Sequence, residues 1–278
     1  MKNTTFMRFP GFRRKAVTLS YDDGVEYDLK LIDIMIKYGL RGTFNISAGL
    51  LSPDGDKPIT LAKLKEIYLD RGQEVAAHGY HHYPLATIPE ATGIKEIIDD
   101  RTALEQYTDT IVFGMAYAYG NYDDTVLSYL GKCGIRYART VNQTLGFAMP
   151  ENFLTWHPTC HHSHGDLMAM AKKFVEHGEE KSMKKNTPEV FFLWGHSYEY
   201  ANYDTWHIIE EFGEYIGGRE DIWYATNGEI YAYTEAYSHL VFSVDASQVY
   251  NPTATDLYLC YLGKNVLVPA GQTVKMPK

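Results

Sequence analysis

Strand-like and helix-like segments alternate along most of this chain, and the alternation is the strongest constraint on its fold. Short β-prone runs occur at residues 16–22, 42–46, 74–77, 111–117, 135–139, 189–194 and 222–225. Amphipathic helical patterns separate most of them. Such an order predicts parallel strands joined by right-handed crossovers and closed into a barrel. We therefore predict an α/β fold.

The pattern changes near residue 238. Short β-prone runs follow at 257–262 and 265–268, and a Pro-Ala-Gly turn begins at Pro269. We expect a barrel over residues 1–237 and a small β extension, packed on the barrel, over residues 238–278.

Size, charge and cysteine content narrow the class of protein. A chain of 278 residues suits one large α/β domain. Its net charge of -9 and its lack of a long basic stripe argue against a nucleic acid partner. No apolar run has the length of a signal peptide or a membrane span. Three widely spaced cysteines (Cys133, Cys160 and Cys260) indicate no disulfide framework, so we expect a reduced, cytoplasmic setting without membrane association.

Two adjacent carboxylates, Asp22 and Asp23, end the first predicted strand, and Gly24 follows them. In α/β folds, the carboxyl ends of the strands are where functional groups collect. Neighbouring residues of a strand point to opposite sides, so the two carboxylates should have different tasks. One can be a metal ligand while the other stays free as a base.

Two histidines follow the third predicted strand directly. His78 and His82 are four residues apart, which on a helical turn places both imidazoles on one face. With one carboxylate they make a two-histidine, one-carboxylate set that leaves positions open for water and substrate. We predict a metal site here rather than a pair of hydrogen-bonded surface histidines. His81 points elsewhere by this geometry and is expected to be structural.

These motifs resemble those of the polysaccharide deacetylase family, the NodB-homology domain of carbohydrate esterase family 4. Tyr21-Asp22-Asp23-Gly24 and His78-x-x-x-His82 resemble its first two motifs. Tyr117-Ala118-Tyr119-Gly120 resembles the third motif, and Leu193-Trp194-Gly195-His196 resembles the fifth. The resemblance covers residues 13–233 and is that of a divergent member of the family. It implies a distorted (β/α)7–8 barrel and metal-dependent hydrolysis of an acetyl group on a sugar. An N-acetyl group is expected as the substrate ahead of an O-acetyl group.

The resemblance also implies a role for each matching residue. One divalent metal, which would polarise the acetyl carbonyl and activate water, would be bound by Asp23, His78 and His82. Zinc suits this set best, and cobalt, nickel or iron would fit the same geometry. Asp22 would be the general base and His196 the acid that protonates the leaving amine. The backbone N–H of Tyr119 would stabilise the oxyanion.

The chain departs from the family pattern in its third and fourth motifs. The position of the base-orienting arginine is occupied by Ala116, and we expect Arg139, at the end of the next strand, to reach across instead. The fourth motif corresponds only to Thr155-Trp156-His157-Pro158, which has no acidic residue beside the tryptophan. Trp156 is expected to form a wall of the acetyl pocket, with plain core packing as the alternative.

Two further features stay open from the sequence. A loop with His161, His162 and His164 either lines the substrate groove or binds a second metal. Glu199, three residues after His196, either orients that imidazole or is a solvated acid.

The leading functional hypothesis is a metal-dependent deacetylase that acts on an acetylated sugar or oligosaccharide. One alternative is the same barrel hydrolysing a non-sugar amide, because the altered motifs leave the pocket undefined. Another is a catalytically silent carbohydrate-binding barrel that has kept its metal. Retention of both Asp22 and His196 argues against this last alternative, since binding alone requires neither. The sequence leaves the oligomeric state open.

Overall fold

The computed structural model describes residues 5–176 and 186–277. Its strands are β1 (Thr5–Arg8), β2 (Lys15–Asp22), β3 (Gly42–Ile46), β4 (Glu74–Ala77), β5 (Gly114–Ala116), β6 (Tyr137–Arg139), β7 (Cys160–His161), β8 (Glu189–Gly195), β9 (Ile222–Tyr224), β10 (Val241–Phe242), β11 (Gln248–Tyr250), β12 (Leu257–Tyr261), β13 (Lys264–Val268) and β14 (Thr273–Lys275). Its α-helices are α1 (Asp28–Lys37), α2 (Leu64–Ile67), α3 (Glu90–Thr108), α4 (Asp124–Leu130), α5 (Leu167–Glu176), α6 (Ser197–Asn202), α7 (Trp206–Ile216) and α8 (Asn227–Ser238).

Strand β2 is the centre of the main sheet. All of its residues are buried, as expected for a strand covered on both faces. It pairs in parallel with β8 along most of its length, with β9 beside its first half and with β3 beside its second half. In the described part of the chain the order of the sheet is β6-β5-β4-β3-β2-β8-β7, with β9 beside β2. This curled parallel sheet with helical connections confirms the predicted α/β class of the (β/α) barrel type.

The two ends of the sheet approach each other through Trp156. Its N–H donates to the carbonyl of Ala138 in β6 (2.9 Å), and its own carbonyl accepts from the N–H of Thr140 (3.1 Å). The chain then runs into β7, which pairs with β8. The segment between β6 and β7 therefore connects the two edges of the sheet, so that the carboxyl ends of the strands surround one opening.

The C-terminal residues form two three-stranded antiparallel sheets. One consists of β10, β11 and β14, and the other joins β12 and β13 to the N-terminal strand β1, with Phe6 opposite Cys260. Leu257 of β12 shares a buried apolar cluster with Phe192 of β8 and Ile230 of α8. The N-terminal strand is thus part of the β extension's sheet, and the extension has core contacts with the barrel.

None of the helices within residues 5–176 and 186–277 has the length and apolar character needed to cross a bilayer. Cys133, Cys160 and Cys260 are buried and are not joined in disulfides.

Candidate metal and catalytic centre

The carboxyl ends of β2, β4 and β8 and the loop after β5 open onto a cavity of about 830 Å³. Its polar lining brings together residues that are far apart in sequence: Asp22, Asp23, His78, His82 and His196. Parallel strands deliver their following loops to the same edge of a sheet, and this is why the separate motifs meet.

Asp23, His78 and His82 are arranged as a possible metal-binding set. The Nε2 atoms of the two histidines are 3.1 Å apart, and Oδ1 of Asp23 lies 3.7 Å from Nε2 of His78 and 3.6 Å from Nε2 of His82. Tetrahedral zinc with bonds of about 2.0–2.1 Å separates its ligand atoms by about 3.3–3.5 Å. The three donors therefore fit a metal of this size.

The ring of His78 is held by a second contact. Its Nδ1 lies 2.9 Å from the carbonyl oxygen of Ala116, an acceptor that requires the proton on Nδ1. This leaves the Nε2 lone pair of His78 free for a metal, an arrangement that is usual for histidine ligands.

The backbone around these residues is not helical, so the prediction of a helical turn between His78 and His82 is wrong. Gly79 and His82 both have left-handed φ angles, of 82° and 60°, and these fold the segment into a tight turn. The imidazoles still meet, with ring centroids 4.6 Å apart. Asp23 also has a left-handed φ, of 81°. Such angles on residues other than glycine cost about 1 kcal/mol or more each and are concentrated at functional sites.

Asp22 lies deeper than Asp23 and makes different contacts. Its side chain is buried, and its Oδ1 accepts a hydrogen bond from Nδ2 of Asn45 (2.8 Å). Its Oδ2 accepts one from the guanidinium of Arg139. Burial alone would raise the pKa of Asp22, but Arg139 and the nearby histidines outweigh it and lower the pKa below its usual value. The two carboxylates thus occupy different environments.

Arg139, at the end of β6, is buried beside Asp22. Its Nε donates to Oγ of Ser20 (3.1 Å), and its guanidinium lies 4.4 Å from the ring centroid of Trp194. The side chain of Arg139 therefore reaches the carboxylate of Asp22, as expected from the sequence. Ala116, at the position where the family has its arginine, is buried.

His196 follows β8, and its ring lies between the two aspartates, Asp22 and Asp23, on one side and Glu199 on the other. Its Nε2 lies 3.9 Å from Oδ2 of Asp22 and 4.0 Å from Oδ2 of Asp23, and its Nδ1 lies 3.4 Å from Oε2 of Glu199. Burial lowers the pKa of His196, but Glu199 and the two aspartates more than compensate, so the pKa is raised. Glu199 is therefore beside the imidazole and is not a freely solvated acid.

Trp156 does not form a wall of the cavity, contrary to the prediction. It is 2% exposed and packs against Phe192, Phe153 and Tyr137 in the core, because its backbone is tied to β6. The tryptophan that lines the cavity is Trp194, which was predicted only as part of a motif. Its position two residues before His196, at the end of a strand, was the available signal.

Tyr119 lies at the mouth of the cavity. Its φ is 57°, its side chain is 70% exposed, and its ring centroid is 4.6 Å from that of His82. The residue is thus placed beside the candidate metal ligands.

Two of the three histidines in the loop after Trp156 gather around Glu199. Oε2 of Glu199 lies 3.0 Å from Nε2 of His161 and 3.3 Å from Nε2 of His162. Burial lowers the pKa of His162 to about 3. His164 lies apart from this group, and its Nδ1 accepts a hydrogen bond from the N–H of Asp166 (3.1 Å).

Comparison with known proteins gives a family match over part of the chain and a similar fold. The sequence profile of the polysaccharide deacetylase family matches residues 10–138, which include Asp22, Asp23 and both histidine ligands of the candidate metal site. A search among curated proteins gave no match.

Two solved structures illustrate the similarity of fold, and a third matches over a shorter span. A putative polysaccharide deacetylase from Mycobacterium smegmatis is 16% identical over 83% of this chain and 93% of its own, with a TM-score of 0.58. The chitin deacetylase of Colletotrichum lindemuthianum is 18% identical over 81% of this chain and 89% of its own, with a TM-score of 0.52. The Streptococcus pyogenes deacetylase PplD is 22% identical with a TM-score of 0.45, and the match spans 50% of this chain and 61% of that one.

Proposed function

We propose that this chain, whose residues 10–138 match the polysaccharide deacetylase family, hydrolyses an acetyl group from a carbohydrate, with N-acetyl sugars as the first candidates. The observation that carries the proposal is the meeting of a ligand set, a separate carboxylate and a separate imidazole in one cavity. A binding protein would need no such division of tasks.

Asp23, His78 and His82 would hold one divalent metal, for which zinc is the best match. When bound, the metal supplies Lewis-acid polarisation of the acetyl carbonyl and lowers the pKa of a water molecule. The hydrogen bond from His78 to the carbonyl of Ala116 keeps the ligand nitrogen directed at the site.

Asp22 acts as the general base in this proposal. The Arg139 guanidinium keeps its carboxylate ionised at neutral pH and fixes its orientation, together with Asn45. An ionised, oriented carboxylate can take a proton from water as the water oxygen bonds to the acetyl carbon. The Tyr119 backbone N–H is assigned to stabilise the oxyanion that forms there.

His196 acts as the general acid. Its raised pKa favours the protonated ring near neutral pH, and Glu199 orients it from the Nδ1 side. The imidazolium gives its proton to the sugar nitrogen as the carbon–nitrogen bond breaks, which releases acetate and a free amine. One proton therefore leaves water through Asp22, and one reaches the product through His196.

A second candidate function is hydrolysis of a non-sugar amide. The cavity has an apolar side formed by Val25, Leu50 and Leu51, and Leu50 is exposed there. Such a side would also suit an apolar amine, so the test must include substrates of both classes.

The test measures acetate release by metal-reconstituted protein from panels of N-acetyl sugars, O-acetyl sugars and non-sugar acetamides. We expect release from an N-acetyl sugar, and loss of activity by about 10²-fold or more in Asp22→Asn. Because Asp22 is not a ligand in this proposal, that variant should still bind a metal at Asp23, His78 and His82 with the affinity of wild type. Asp70→Asn, at an exposed position away from the cavity, is the matched control and should behave as wild type.

Other results would contradict the proposal in distinct ways. Release from acetamides alone would favour the second candidate. A bound metal without release from any substrate would favour a binding barrel. Full activity in Asp22→Asn would remove Asp22 from the base role, and absence of metal would refute the assignment of Asp23, His78 and His82.

A further inference from the structure

We propose that His161, His196 and Glu199 form a second divalent-metal site, weaker than the first, and that its occupancy inhibits hydrolysis. The inhibitory effect rests on the proposed role of His196 as the general acid. The existence of the site does not, because it can be measured by metal binding alone.

The geometry of the three side chains supports a metal site. Oε2 of Glu199 lies 3.0 Å from Nε2 of His161 and 3.4 Å from Nδ1 of His196, and the three ligand atoms all lie within 4.8 Å of one another. Two imidazole nitrogens and one carboxylate are a common set of zinc ligands. Small side-chain adjustments would bring the three atoms to the separations of about 3.3–3.5 Å that tetrahedral zinc requires.

The backbone already positions these donors. His161 in β7 pairs with Trp194 of β8, two residues before His196. Glu199 is held by the N–H of His196, which donates to its Oε2 (3.2 Å). The donors therefore come from β7, from the residue that follows β8 and from the first turn of α6, and little ordering is needed for binding.

Nδ1 of His196 is only weakly satisfied. Within the described residues this nitrogen is buried and makes no hydrogen bond of good geometry, and its nearest anionic partner is Oε2 of Glu199 at 3.4 Å. Buried polar atoms without a partner are rare and costly, and a bound ion is one way in which such an atom is satisfied. A metal between Glu199 and His196 would satisfy this nitrogen.

The neighbouring histidines are less suitable as ligands. His162 also approaches Glu199, but its ring is buried and stacked between those of Tyr21 and Tyr200, with centroids 5.8 and 4.1 Å away. His161 is partly exposed, and its other nitrogen faces Ser163, whose hydroxyl lies 2.7 Å from Nδ1. His161 is thus free to turn its Nε2 to a metal.

The second site should be the weaker one because its carboxylate oxygen already has other partners. Oε2 of Glu199 lies 3.3 Å from Nε2 of His162 and accepts a hydrogen bond from the N–H of His196 (3.2 Å), and a metal must compete with these contacts. In the first site, Oδ1 of Asp23 lies 3.7 and 3.6 Å from the Nε2 atoms of His78 and His82, the nitrogens with which it would share the metal.

Occupancy would block the acid. A metal on Nδ1 of His196 replaces the contact with Glu199 and adds positive charge beside the ring, so the imidazolium form cannot be present. Transfer of the Nε2 proton to the substrate would then convert the metal-bound imidazole into an imidazolate, and this makes the proton transfer unfavourable. Filling this site should therefore lower the rate without affecting the first metal.

The experiment titrates the metal-free protein of 278 residues with Zn²⁺ and follows both bound metal and acetate release. We expect two equivalents to bind, with release rising over the first and falling over the second. The fall should be about tenfold or more, because general acid–base catalysis contributes about 10²-fold or more. In His161→Gln, whose amide can still donate to Glu199, we expect one equivalent and no fall at excess Zn²⁺. His164→Gln, outside the cluster, is the matched control and should bind two equivalents.

The possible failures can be told apart. A single equivalent in wild type, or two in His161→Gln, would overturn the second site whether or not the protein is a deacetylase. Two equivalents in wild type and one in His161→Gln, without a fall in release, would overturn the inhibitory effect. If no substrate is cleaved at all, the proposed function and with it the inhibitory effect are refuted, while the metal count still decides the site.

Discussion

The guanidinium of Arg139 donates a hydrogen bond to Oδ2 of Asp22 from 117 positions further along the chain. Both side chains are buried, and this cation is the main reason why the pKa of Asp22 is lowered despite its burial. We predict that Arg139→Met lowers kcat by about 10²-fold, as expected for a misoriented and partly protonated base. Removal of the cation raises the pKa of Asp22, so the acid limb of the pH profile of kcat/KM should move to higher pH.

Arg139→Lys is the control for this prediction. It keeps a positive charge but not the planar fork, so its acid limb should move less than that of Arg139→Met while kcat still falls. Circular dichroism and thermal denaturation should show that both variants are folded. An acid limb that stays in place in folded Arg139→Met would contradict the role assigned to Arg139.

Asp100 should control the affinity of the metal without touching it. This buried residue of α3 accepts hydrogen bonds from the N–H groups of Ala48 and His78, each at 2.8 Å. In Asp100→Asn one oxygen becomes an amide nitrogen that faces an N–H group. We expect metal affinity to fall by about tenfold or more, as is typical when the partners of a ligand are changed. Competition with a chelator measures it.

Asp99→Asn is the matched control for Asp100. Asp99 is the preceding residue and pairs with Lys95 at the surface of the same helix. Its substitution should leave metal affinity unchanged. Equal affinities for the two variants would show that Asp100 does not position His78.

Gly195 is required by the close approach of His162. A Cβ at this position would lie 2.1 Å from Nδ1 of His162. We predict that Gly195→Ala destabilises the protein by about 1–3 kcal/mol, the usual cost of overpacking, and displaces His196, which follows directly. Gly165→Ala, where a Cβ would meet no atom within 4 Å, should have little effect. Similar denaturation midpoints for the two variants would refute the steric argument.

Asp28 should make stability depend on pH. It is buried, accepts hydrogen bonds from Tyr68 (2.7 Å) and Ser197, and has its pKa raised by burial from 3.8 to about 7. Between pH 3.8 and about pH 7, Asp28 is deprotonated in the unfolded chain but stays protonated in the folded protein. The contribution of Asp28 to stability is therefore greatest at low pH and falls by up to about 1.4 kcal/mol per pH unit until pH 7.

Asp28→Asn should remove this dependence, because the amide is neutral at every pH. Its free energy of unfolding relative to wild type should rise between pH 4 and pH 7 and then stay level. Asp33→Asn, at an exposed position of the same helix α1, should show no such rise. Urea denaturation at several pH values makes the comparison, and a difference for Asp28→Asn that does not vary with pH would contradict the prediction.

Local patterns in the sequence were enough for the class of fold and for the candidate ligands. Strand β2 could be predicted because its apolar and β-branched residues lead directly into Asp22 and a turn. His78 and His82 could be paired because only four positions separate them. Helix α6 was not predicted, since its six residues are too few to show a periodic pattern.

Contacts between distant segments were decided by the tertiary structure. The assignment of Trp156 to the pocket failed because strand pairing with β6, which no local pattern shows, turns its side chain into the core. The gathering of His161 and His162 around Glu199 depends in the same way on the pairing of β7 with β8.

The sequence by itself determined the alternation of strands and helices, the class of barrel and the candidate metal ligands. These follow from interactions among near neighbours, such as side-chain periodicity and turn formation. Only the tertiary structure decided that Arg139 reaches Asp22, that Trp194 rather than Trp156 lines the cavity, and that Glu199 faces three histidines. The physical reason is that these contacts depend on the curl of the sheet, which brings together the ends of strands that the sequence keeps far apart.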